Sequence, residues 1–384
     1  MWRLVLTFTL FLGGSEVQLQ PVTCRDNNNG EVDWFIIYKA PGEIIPGSNP
    51  RRFKNEMNYL YIDSANSKSY MHNRPGYKNL KDPSGALAHT LRPILKKIRN
   101  MLSNFGFISY SDQPPGCSSH TTFGHSKGVI MVERDLPGVW LLHSTPQFPF
   151  RRDQNNFWPE SGLQLAQTFI CVTFNYSQFI QIGKHLQYIR AFPFEHDIPD
   201  DFHQELIDAT KWVEVPPSSD YQTLTSRGGL RFYSIAKQQL QEPDGDLYHT
   251  IARAVQSHVY VQTWGCQKDR ANSDCSGPNH VYNLKTIKKV LGPASIWRPT
   301  KDHSKWCVTN RESNSEWTCI ADVNRAQTQY QRRGGALCIE NRDVRNKFWE
   351  FAREFDKCST TPTTMDSDCE PDLKRIHLDP SVIG

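Results

Sequence analysis

Several features that assign a protein to a well-defined class are missing from this 384-residue sequence. It contains neither His-Glu-x-x-His nor a Walker loop ending in Lys-Ser/Thr, which argues against zinc-peptidase and P-loop chemistry. Its ten cysteines include no Cys-x-x-Cys pair, so neither a zinc ribbon nor a dithiol redox motif is indicated. No tight run of carboxylates indicates a two-metal nuclease centre. We therefore expect chemistry that needs no metal and no cofactor.

Long hydrophobic segments are also scarce. One apolar run, from Leu4 to Leu12, follows Arg3 and ends at Gly13-Gly14-Ser15. It is typical of a secretory signal peptide over residues 1–15 and is too short to span a membrane. No other segment approaches that length, so no membrane span is expected. Export would let the cysteines form disulfides, and Asn175-Tyr176-Ser177 is a glycosylation sequon.

The tripeptide His-Ser-Lys occurs twice. The first copy is Gly124-His125-Ser126-Lys127 and the second is Asp302-His303-Ser304-Lys305. Each copy is followed by a short apolar run, a turn or polar loop, and a second apolar run that contains tryptophan. Short apolar runs separated by turn residues indicate paired strands. We therefore predict the same unit, His-Ser-Lys followed by a hairpin, in both parts of the chain.

This spacing has a chemical consequence, because residues i and i+2 of a strand point to the same side. Each His shares a face with its Lys, and two such units brought together would place two imidazoles between two ammonium groups. That arrangement suits a phosphodiester. Lys127 and Lys305 would hold the phosphate, while one His attacks phosphorus and the other protonates the departing alkoxide. We assign the attack to His125 and the proton to His303, although two similar copies do not distinguish these roles.

The two lysines also predict a pH dependence. Nearby ammonium groups disfavour a cationic imidazole and lower its pKa, so the protonated acid would form only at lower pH. An acidic optimum is expected. The net charge of +4 and the isoelectric point of about 8.4 permit nucleic-acid binding without requiring it.

These motifs resemble those of the deoxyribonuclease II family, which is similar to phospholipase D-like proteins in its paired His-x-Lys motifs. The resemblance runs from about Cys24 to Cys358. It rests on Val-Asp-Trp-Phe-Ile-Ile-Tyr-Lys at 32–39, both His-Ser-Lys motifs, Trp-Leu-Leu-His-Ser-Thr-Pro at 140–146 and Trp-Thr-Cys-Ile-Ala-Asp-Val-Asn-Arg at 317–325. The sequence departs from the superfamily pattern five residues after each Lys, where Val132 and Asn310 replace aspartate.

The resemblance implies a mixed α/β fold, a phospholipase D-like pseudo-dimer whose two sheet-and-helix halves share one active site. It implies an acid endonuclease that hydrolyses DNA without divalent metal, leaves 3′-phosphate ends and degrades DNA of dead or engulfed cells. Contacts would be mainly to the DNA backbone, with little sequence preference. The implied location is the lysosome or the exterior of the cell.

The resemblance also implies roles for individual residues. The catalytic set is His125, Lys127, His303 and Lys305, and weaker substrate contacts are His143, Asp322, Asn324 and Arg325. Arg332 and Arg333 beside a Gly-Gly turn are either a further phosphate contact or a basic surface loop. The implied disulfides are Cys24–Cys171, Cys275–Cys358 and Cys319–Cys338, with Cys307 unpaired and Cys117, Cys266 and Cys369 unassigned.

The Pro-Pro-Ser-Ser stretch at 216–219 indicates a boundary between two halves, at 20–215 and 220–358, followed by a polar and disordered tail at 359–384. Helices are predicted at 84–105 (kinked at Pro93), 179–188, 202–213, 244–258 and 343–355. Two other functions are considered. A lipid phosphodiesterase would need an exposed apolar surface beside the histidines, and a DNA-binding or toxin-like protein of the same fold would not need both His-Lys pairs.

Overall fold

Two large β-sheets, one from each part of the chain, form this protein. The computed structural model describes residues 21–48, 53–54, 57–67, 78–120, 122–213, 215–237, 245–358 and 369. The predicted signal peptide at 1–15 lies outside these residues, as does all of the predicted tail at 359–384 except Cys369. Within the described ranges, no helix has the length and apolar character needed to cross a bilayer.

The first sheet is antiparallel and has seven strands. The elements of this part are, in chain order, β1 Cys24–Arg25, β2 Glu31–Val32, β3 Trp34–Lys39, β4 Glu43–Ile44, β5 Phe53–Lys54, β6 Tyr59–Asp63, α1 Ala86–Leu91, β7 Phe105–Ser111, β8 Lys127–Glu133, β9 Gly138–His143, β10 Gln167–Phe174, α2 Phe179–Tyr188, β11 Pro193–Asp197 and α3 Gln204–Thr210. The strand order is β11-β7-β8-β9-β10-β3-β6, with β1-β2 and β4-β5 as separate pairs.

The second sheet has nine strands. Its elements are β12 Tyr221–Thr225, β13 Arg231–Ala236, α4 Leu247–Val255, β14 Val259–Gln262, β15 Val281–Lys288, β16 Ile296–Trp297, β17 Trp306–Thr309, β18 Trp317–Ala321, α5 Gln327–Tyr330, β19 Gly335–Glu340, α6 Arg342–Phe351 and β20 Glu354–Phe355. The strand order is β12-β13-β19-β18-β17-β14-β15-β16, and β20 pairs with β15. Only β14 and β15 run parallel among these described strands. Each sheet lies within one of the two predicted halves.

The central core lies between the sheets. Alternate residues of β3 show how it forms: Trp34 and Tyr38 face the central core together with side chains from β17, α2 and α6, whereas Phe35 and Ile37 face a second core under α1. A third core lies between the outer face of the second sheet and α4. Because strand residues alternate between faces and both faces of β3 are covered, β3 is a continuous apolar run.

The predicted mixed α/β fold with two sheet-and-helix halves is confirmed. The predicted hairpins are β8-β9 and β17-β18, and both are antiparallel pairs. The predicted helix at 179–188 is α2. Helix α4 begins after Asp246, whose side chain accepts a hydrogen bond from the backbone N–H of Tyr248, and α6 begins after Asn341, whose side chain accepts from two backbone N–H groups.

The long helix predicted at 84–105 is wrong. Helix α1 ends at Leu91, a short 3₁₀ turn containing Pro93 follows, and Phe105 already begins strand β7. Proline lacks the N–H that continues a helix and its ring clashes with the preceding turn. Ile98 and Leu102, which supplied the apparent helical spacing, are more than one-third exposed.

A buried hydrogen-bond network joins the two halves below the second His-Ser-Lys motif. The Tyr38 hydroxyl of β3 donates to the carboxylate of Asp302. It accepts from the indole Nε1 of Trp306 at 3.0 Å. Asp302 also accepts from Trp297 Nε1 at 2.7 Å and from the backbone N–H of Ser304 at 2.9 Å. The carboxylate thus anchors the loop that leads into β17.

Substitution Tyr38→Phe should destabilise the protein by about 1–3 kcal/mol, because it leaves the buried Trp306 N–H without its partner and removes one hydrogen bond from the Asp302 carboxylate. Urea unfolding at neutral pH measures the change. Tyr188→Phe is the control, since its half-buried hydroxyl contacts only Ser218 among the described side chains, at 3.3 Å. An unchanged unfolding midpoint for Tyr38→Phe would show that the network does not join the halves.

Candidate active site

The first His-Ser-Lys motif is held in place by close backbone contacts. A Cβ atom on Gly124 would lie 1.7 Å from the carbonyl oxygen of Ile189, so this close approach requires glycine. The backbone N–H of His125 donates to the carbonyl of Arg333 in the second half at 2.8 Å. Lys127 then begins β8, and its ammonium group contacts the carboxylate of Asp112.

The second motif is held in the same manner by the first half. The backbone N–H of His303 donates to the carbonyl of Ala166 at 3.0 Å. Its ring Nδ1 lies 3.1 Å from the carbonyl oxygen of Ser144, to which it donates. The Lys305 ammonium donates to the carbonyl of His303 at 2.7 Å. The motifs therefore converge on one site, and each depends on a carbonyl from the opposite half.

Asp112 is a central residue of the site that sequence reasoning missed. It follows β7, is 2 % exposed, and lies 3.9 Å from His125 Nε2 and 3.1 Å from Arg332 Nη2, in addition to its contact with Lys127. Burial alone would raise the pKa of Asp112, but Lys127, His125 and Arg332 outweigh burial and hold that pKa well below its usual range. No motif marks this aspartate, which precedes the first His by 13 residues.

Both histidines have pKa values well below the ordinary value. The main cause is burial, which penalises the cationic ring, and the lysines add to it. The predicted direction agrees, but its main physical cause is burial rather than the two ammonium groups. At both rings the two lysines lower the pKa and Asp112 raises it. The balance differs between the copies, because Asp112 has the larger effect at His125 and the lysines have the larger effect at His303.

Lys305 and Asp322 titrate unusually for the same reason. Burial and, to a smaller extent, the nearby Lys127 ammonium lower the pKa of Lys305 to about 7. Burial raises the pKa of Asp322 well above its usual range, although Lys127 opposes this effect. Below pH 7 the site therefore gains an ammonium group on Lys305, while the raised pKa of Asp322 favours its neutral form.

A pocket of about 300 Å³ opens between the two histidines. Both imidazoles line it, together with Asp112, Arg332 and the predicted contact Asn324. Lys127, Lys305 and Asp322 are at most 4 % exposed and lie close to this pocket rather than on its wall. The remaining lining residues carry amides, a hydroxyl or rings, namely Gln113, Ser119, His120, Trp264, Gln267 and Gln329.

Two of the predicted substrate contacts, Arg325 and His143, are not among the residues that line the pocket. Arg325 is buried and its guanidinium is occupied by Asp246 at 2.7 Å and Asn283 Oδ1 at 2.9 Å, so it holds the second half together instead of meeting a substrate. His143 is 1 % exposed and packs against Phe148 and Phe169. It does not line the pocket, and its influence on the site is electrostatic, through Lys127.

Arg332 belongs to the pocket because the loop that carries it is anchored. Lys237 is buried and its ammonium donates to the carbonyls of Gln329, Tyr330 and Arg332 at 2.8–2.9 Å. Arg333 contributes its carbonyl to His125. The sequence left two alternatives for Arg332, a phosphate contact or a surface loop. In the structure its side chain contacts Asp112 and lines the pocket. Sequence reasoning gave no role to Lys237.

Residues 124–128 also match Gly-x-Ser-x-Gly, the pattern of a nucleophilic serine at a strand-to-helix turn. The structure excludes that role for Ser126. It is 1 % exposed and leads directly into strand β8 rather than a helix. In the part of the chain that the structure describes, no group of three His, Cys, Asp or Glu side chains has the proximity to hold a metal ion.

Four disulfides are present among the described cysteines. They are the three implied pairs, Cys24–Cys171, Cys275–Cys358 and Cys319–Cys338, and a fourth between Cys266 and Cys369. Cys307 is a buried thiol and Cys117 an exposed one. The fourth bond places Cys369 beside the loop that carries Trp264 and Gln267.

Comparisons with known proteins show which family this chain resembles over most of its length. The family model for deoxyribonuclease II matches residues 23–358. Plancitoxin-1 of Acanthaster planci is 34% identical over 363 residues, which cover 92% of this chain and 96% of that protein. Deoxyribonuclease-2-beta of Homo sapiens is 31% identical over 88% of this chain and 92% of its own length. Deoxyribonuclease-2-alpha of Bos taurus is 34% identical over 84% of this chain and 87% of its own length. Yeast tyrosyl-DNA phosphodiesterase aligns with 58% of this chain and 68% of its own at 12% identity and a TM-score of 0.30, a likeness too weak to bear on the fold.

Substitution Asp112→Asn should destabilise the protein by about 3–5 kcal/mol near neutral pH, because it leaves the buried Lys127 ammonium without its counter-charge. The folded-state pKa of Asp112 is lowered, so its stabilisation is present above its unfolded pKa of about 4 and is lost as the pH falls toward the folded value. The difference in unfolding free energy from the unmodified protein should therefore shrink below pH about 4. Urea unfolding between pH 3 and 7 measures it.

Asp208→Asn is the matched control, because Asp208 is exposed and its side-chain hydrogen bonds are to Gln204 and Lys211 on the same helix and its C-cap. A pH-independent difference for Asp112→Asn would contradict an ionised Asp112 in the folded site.

Proposed function

The chain belongs to the deoxyribonuclease II family, and we propose that it is an acid endodeoxyribonuclease that cleaves DNA in the pocket between His125 and His303. The reaction needs no divalent metal and leaves 3′-phosphate ends. The observation that most directly supports this proposal is the convergence of two imidazoles and two ammonium groups, one of each from either half, on one pocket. That set carries every group needed for phosphodiester hydrolysis through a phosphohistidine.

The phosphate is held from beneath and from one side. Lys127 and Lys305 lie buried below the pocket, where a low local dielectric strengthens their attraction for an anion. Arg332 reaches the pocket from the second half and offers a planar guanidinium to phosphate oxygens. Fixed cations in a largely dry site stabilise the charge that gathers on phosphorus oxygens during the reaction without having to reorganise.

The contacts of the two histidines favour the reverse of the sequence-based assignment. His303 donates through Nδ1 to Ser144, which leaves Nε2 as the nitrogen with a free lone pair, the form of a nucleophile. His125 lies beside the Asp112 carboxylate, which favours its cationic form and suits a proton donor. In this mechanism His303 Nε2 attacks phosphorus, the P–O5′ bond breaks, and O5′ takes a proton from His125. His125 then accepts a proton from water, whose oxygen displaces His303.

Acid pH favours this reaction for two physical reasons. The lowered pKa of His125 means that the proton donor is charged only at acid pH. The pKa of Lys305, about 7, means that the phosphate-binding ammonium is lost as the pH rises above neutrality. Both changes act in the same direction, so activity should rise as the pH falls from 8 to 5.

The proposal also includes the compartment in which the enzyme acts and the source of its DNA. The disulfides require an oxidising compartment for their formation, and an acid optimum fits a lysosomal enzyme or one released outside the cell. DNA of dead or engulfed cells is its substrate there. Asn175 is exposed in the structure and accessible for a glycan. DNA is bound through its backbone, with little sequence preference.

A lipid phosphodiester receives no comparable support. The pocket wall is made mainly of amides, imidazoles, a hydroxyl and the charged groups of Asp112 and Arg332, with the Trp264 indole as its large apolar side chain. The exposed large hydrophobic side chains of the described chain, such as Leu136 and Ile296, are not among the residues of that wall. A lipid substrate would need an apolar surface beside the histidines for its acyl chains.

The test of function is nicking of a supercoiled plasmid at pH about 5 and about 7.5, with a metal chelator present. The purified protein should nick at pH 5 and much less at pH 7.5, because Lys305, with a pKa of about 7, loses its charge between these values and the lowered pKa of His125 makes its charged form rarer as the pH rises. His125→Ala and His303→Ala should each lower the rate at least about a hundredfold. His258→Ala is the control, since this half-buried histidine lies outside the pocket. Cleavage only after metal addition would contradict the mechanism.

The assignment of the histidines is testable by trapping the covalent intermediate. With a thymidine 3′-(p-nitrophenyl phosphate) substrate, the leaving group needs no proton donor. His125→Ala should therefore still form phosphohistidine and should accumulate it, because the base that activates water is missing. Mass spectrometry should locate the phosphoryl group on His303. A phosphoryl group on His125 in the His303→Ala protein would reverse the assignment.

A further inference from the structure

One aromatic residue of the active-site pocket has no part in the chemistry described above. Trp264 follows β14 and lines the pocket beside His303, with the two rings 5.9 Å apart in an edge-to-face arrangement. It is half-buried, so part of its indole faces the pocket. A tryptophan that contributed only to the core would be covered by neighbouring side chains, as Trp140 and Trp306 are in this protein.

The loop that carries Trp264 is held from three sides. The backbone N–H of Trp264 donates to Asn324 Oδ1 at 3.3 Å, and that of Gly265 donates to the carbonyl of Pro299 at 3.0 Å. Cys266, two residues further on, is disulfide-bonded to Cys369. An aromatic ring fixed in advance loses little conformational entropy when a ligand packs against it.

The pocket combines two kinds of side chain. Its ionisable groups include Asp112, Arg332 and the two histidines, with the two lysines buried close by. Its lining also carries the Trp264 indole and the amide side chains of Gln267, Asn324 and Gln329, and Asn324 accepts a hydrogen bond from the backbone N–H of Trp264. Aromatic faces stack on nucleobases, and amides hydrogen-bond to base edges and sugar hydroxyls or oxygens.

The small volume of the pocket also favours a nucleoside bound beside the phosphate. Its volume of about 300 Å³ is at the lower limit for ligand pockets, and Lys127 and Lys305 are buried beside it. A regular duplex presents its phosphates on a broad surface, whereas a phosphate that enters a narrow pocket brings its adjacent nucleoside with it. Enzymes that act on a base take the nucleotide out of the stack and pack the base between side chains, and the same arrangement would let a nucleoside enter this pocket with its phosphate.

We propose that Trp264, with Gln267, Asn324 and Gln329, forms a nucleoside subsite beside the scissile phosphate on the His303 side. The base of that nucleoside leaves its stack and packs against the indole. This inference rests on the proposed function, since the phosphate held by Lys127 and Lys305 locates the nucleoside next to Trp264. It makes the enzyme sensitive to whether a base is present and free to unstack, without requiring a particular base.

The experiment compares two single-stranded oligonucleotides of equal length at pH about 5 with a chelator, one of thymidine and one with abasic tetrahydrofuran residues. The unmodified protein should have a kcat/KM about tenfold higher for the thymidine oligonucleotide, within the range of base–aromatic stacking. Trp264→Leu should remove most of this preference, mainly by raising KM for the thymidine oligonucleotide. Trp264→Phe, which keeps an aromatic face, should retain most of it.

Trp349→Leu is the matched control. Trp349, on α6, is also half-buried, but it packs against Tyr260 of β14 and does not line the pocket. It should keep the full preference for thymidine. Equal loss on both oligonucleotides in Trp264→Leu, or no preference in the unmodified protein while it cleaves both, would overturn the subsite alone. No cleavage of either oligonucleotide or of plasmid DNA by the unmodified protein would overturn the proposed function, and the subsite with it.

Discussion

Two backbone hydrogen bonds that cross between the halves determine where the reacting groups lie. The N–H of His125 donates to the carbonyl of Arg333, and the N–H of His303 donates to the carbonyl of Ala166. Neither half can orient its own histidine alone, because the accepting carbonyl belongs to the other sheet. Assembly of the central core between the sheets and formation of the site are therefore one event. The Tyr38 network reinforces this coupling, since it fixes the loop immediately before His303 from the opposite half.

Burial of charge is the cost of this arrangement, and it also determines the chemistry. Lys127, Lys305 and Asp112 are almost inaccessible to solvent, so each must be compensated inside the protein. Asp112 compensates Lys127 and Arg332, whereas Lys305 relies on a carbonyl and accordingly loses its proton near pH 7. The less compensated cation is the one that titrates in the physiological range. An anionic substrate would supply the missing compensation, which favours binding when Lys305 is charged.

Local sequence was sufficient for the parts of this protein that depend on nearby residues. The repeated His-Ser-Lys motif, both hairpins and helix α2 follow from residue spacing and turn chemistry, and the structure contains them. Asp112, Lys237 and Trp264 could not be found in this way, because their importance arises from elements that meet only after the two sheets pack. Arg325 is the reverse case, because its position in a motif suggested a substrate contact that its surroundings in the structure do not support. The sequence beside a motif does not show whether a basic residue contacts a substrate or a distant acidic side chain. Here Arg325 is hydrogen-bonded to Asp246, 79 residues away in sequence.

The origin of the acid dependence also follows from this distinction. If the lysines alone lowered the pKa of the histidines, removal of one ammonium group would restore activity at neutral pH. Burial is the larger cause at both rings, and it results from the packing of the two halves around the site rather than from one residue. Burial lowers the pKa of Lys305 as well, so the proton donor and the phosphate-binding cation gain their charges in the same direction. The dependence on acid pH is thus a property of a dry site formed between two halves.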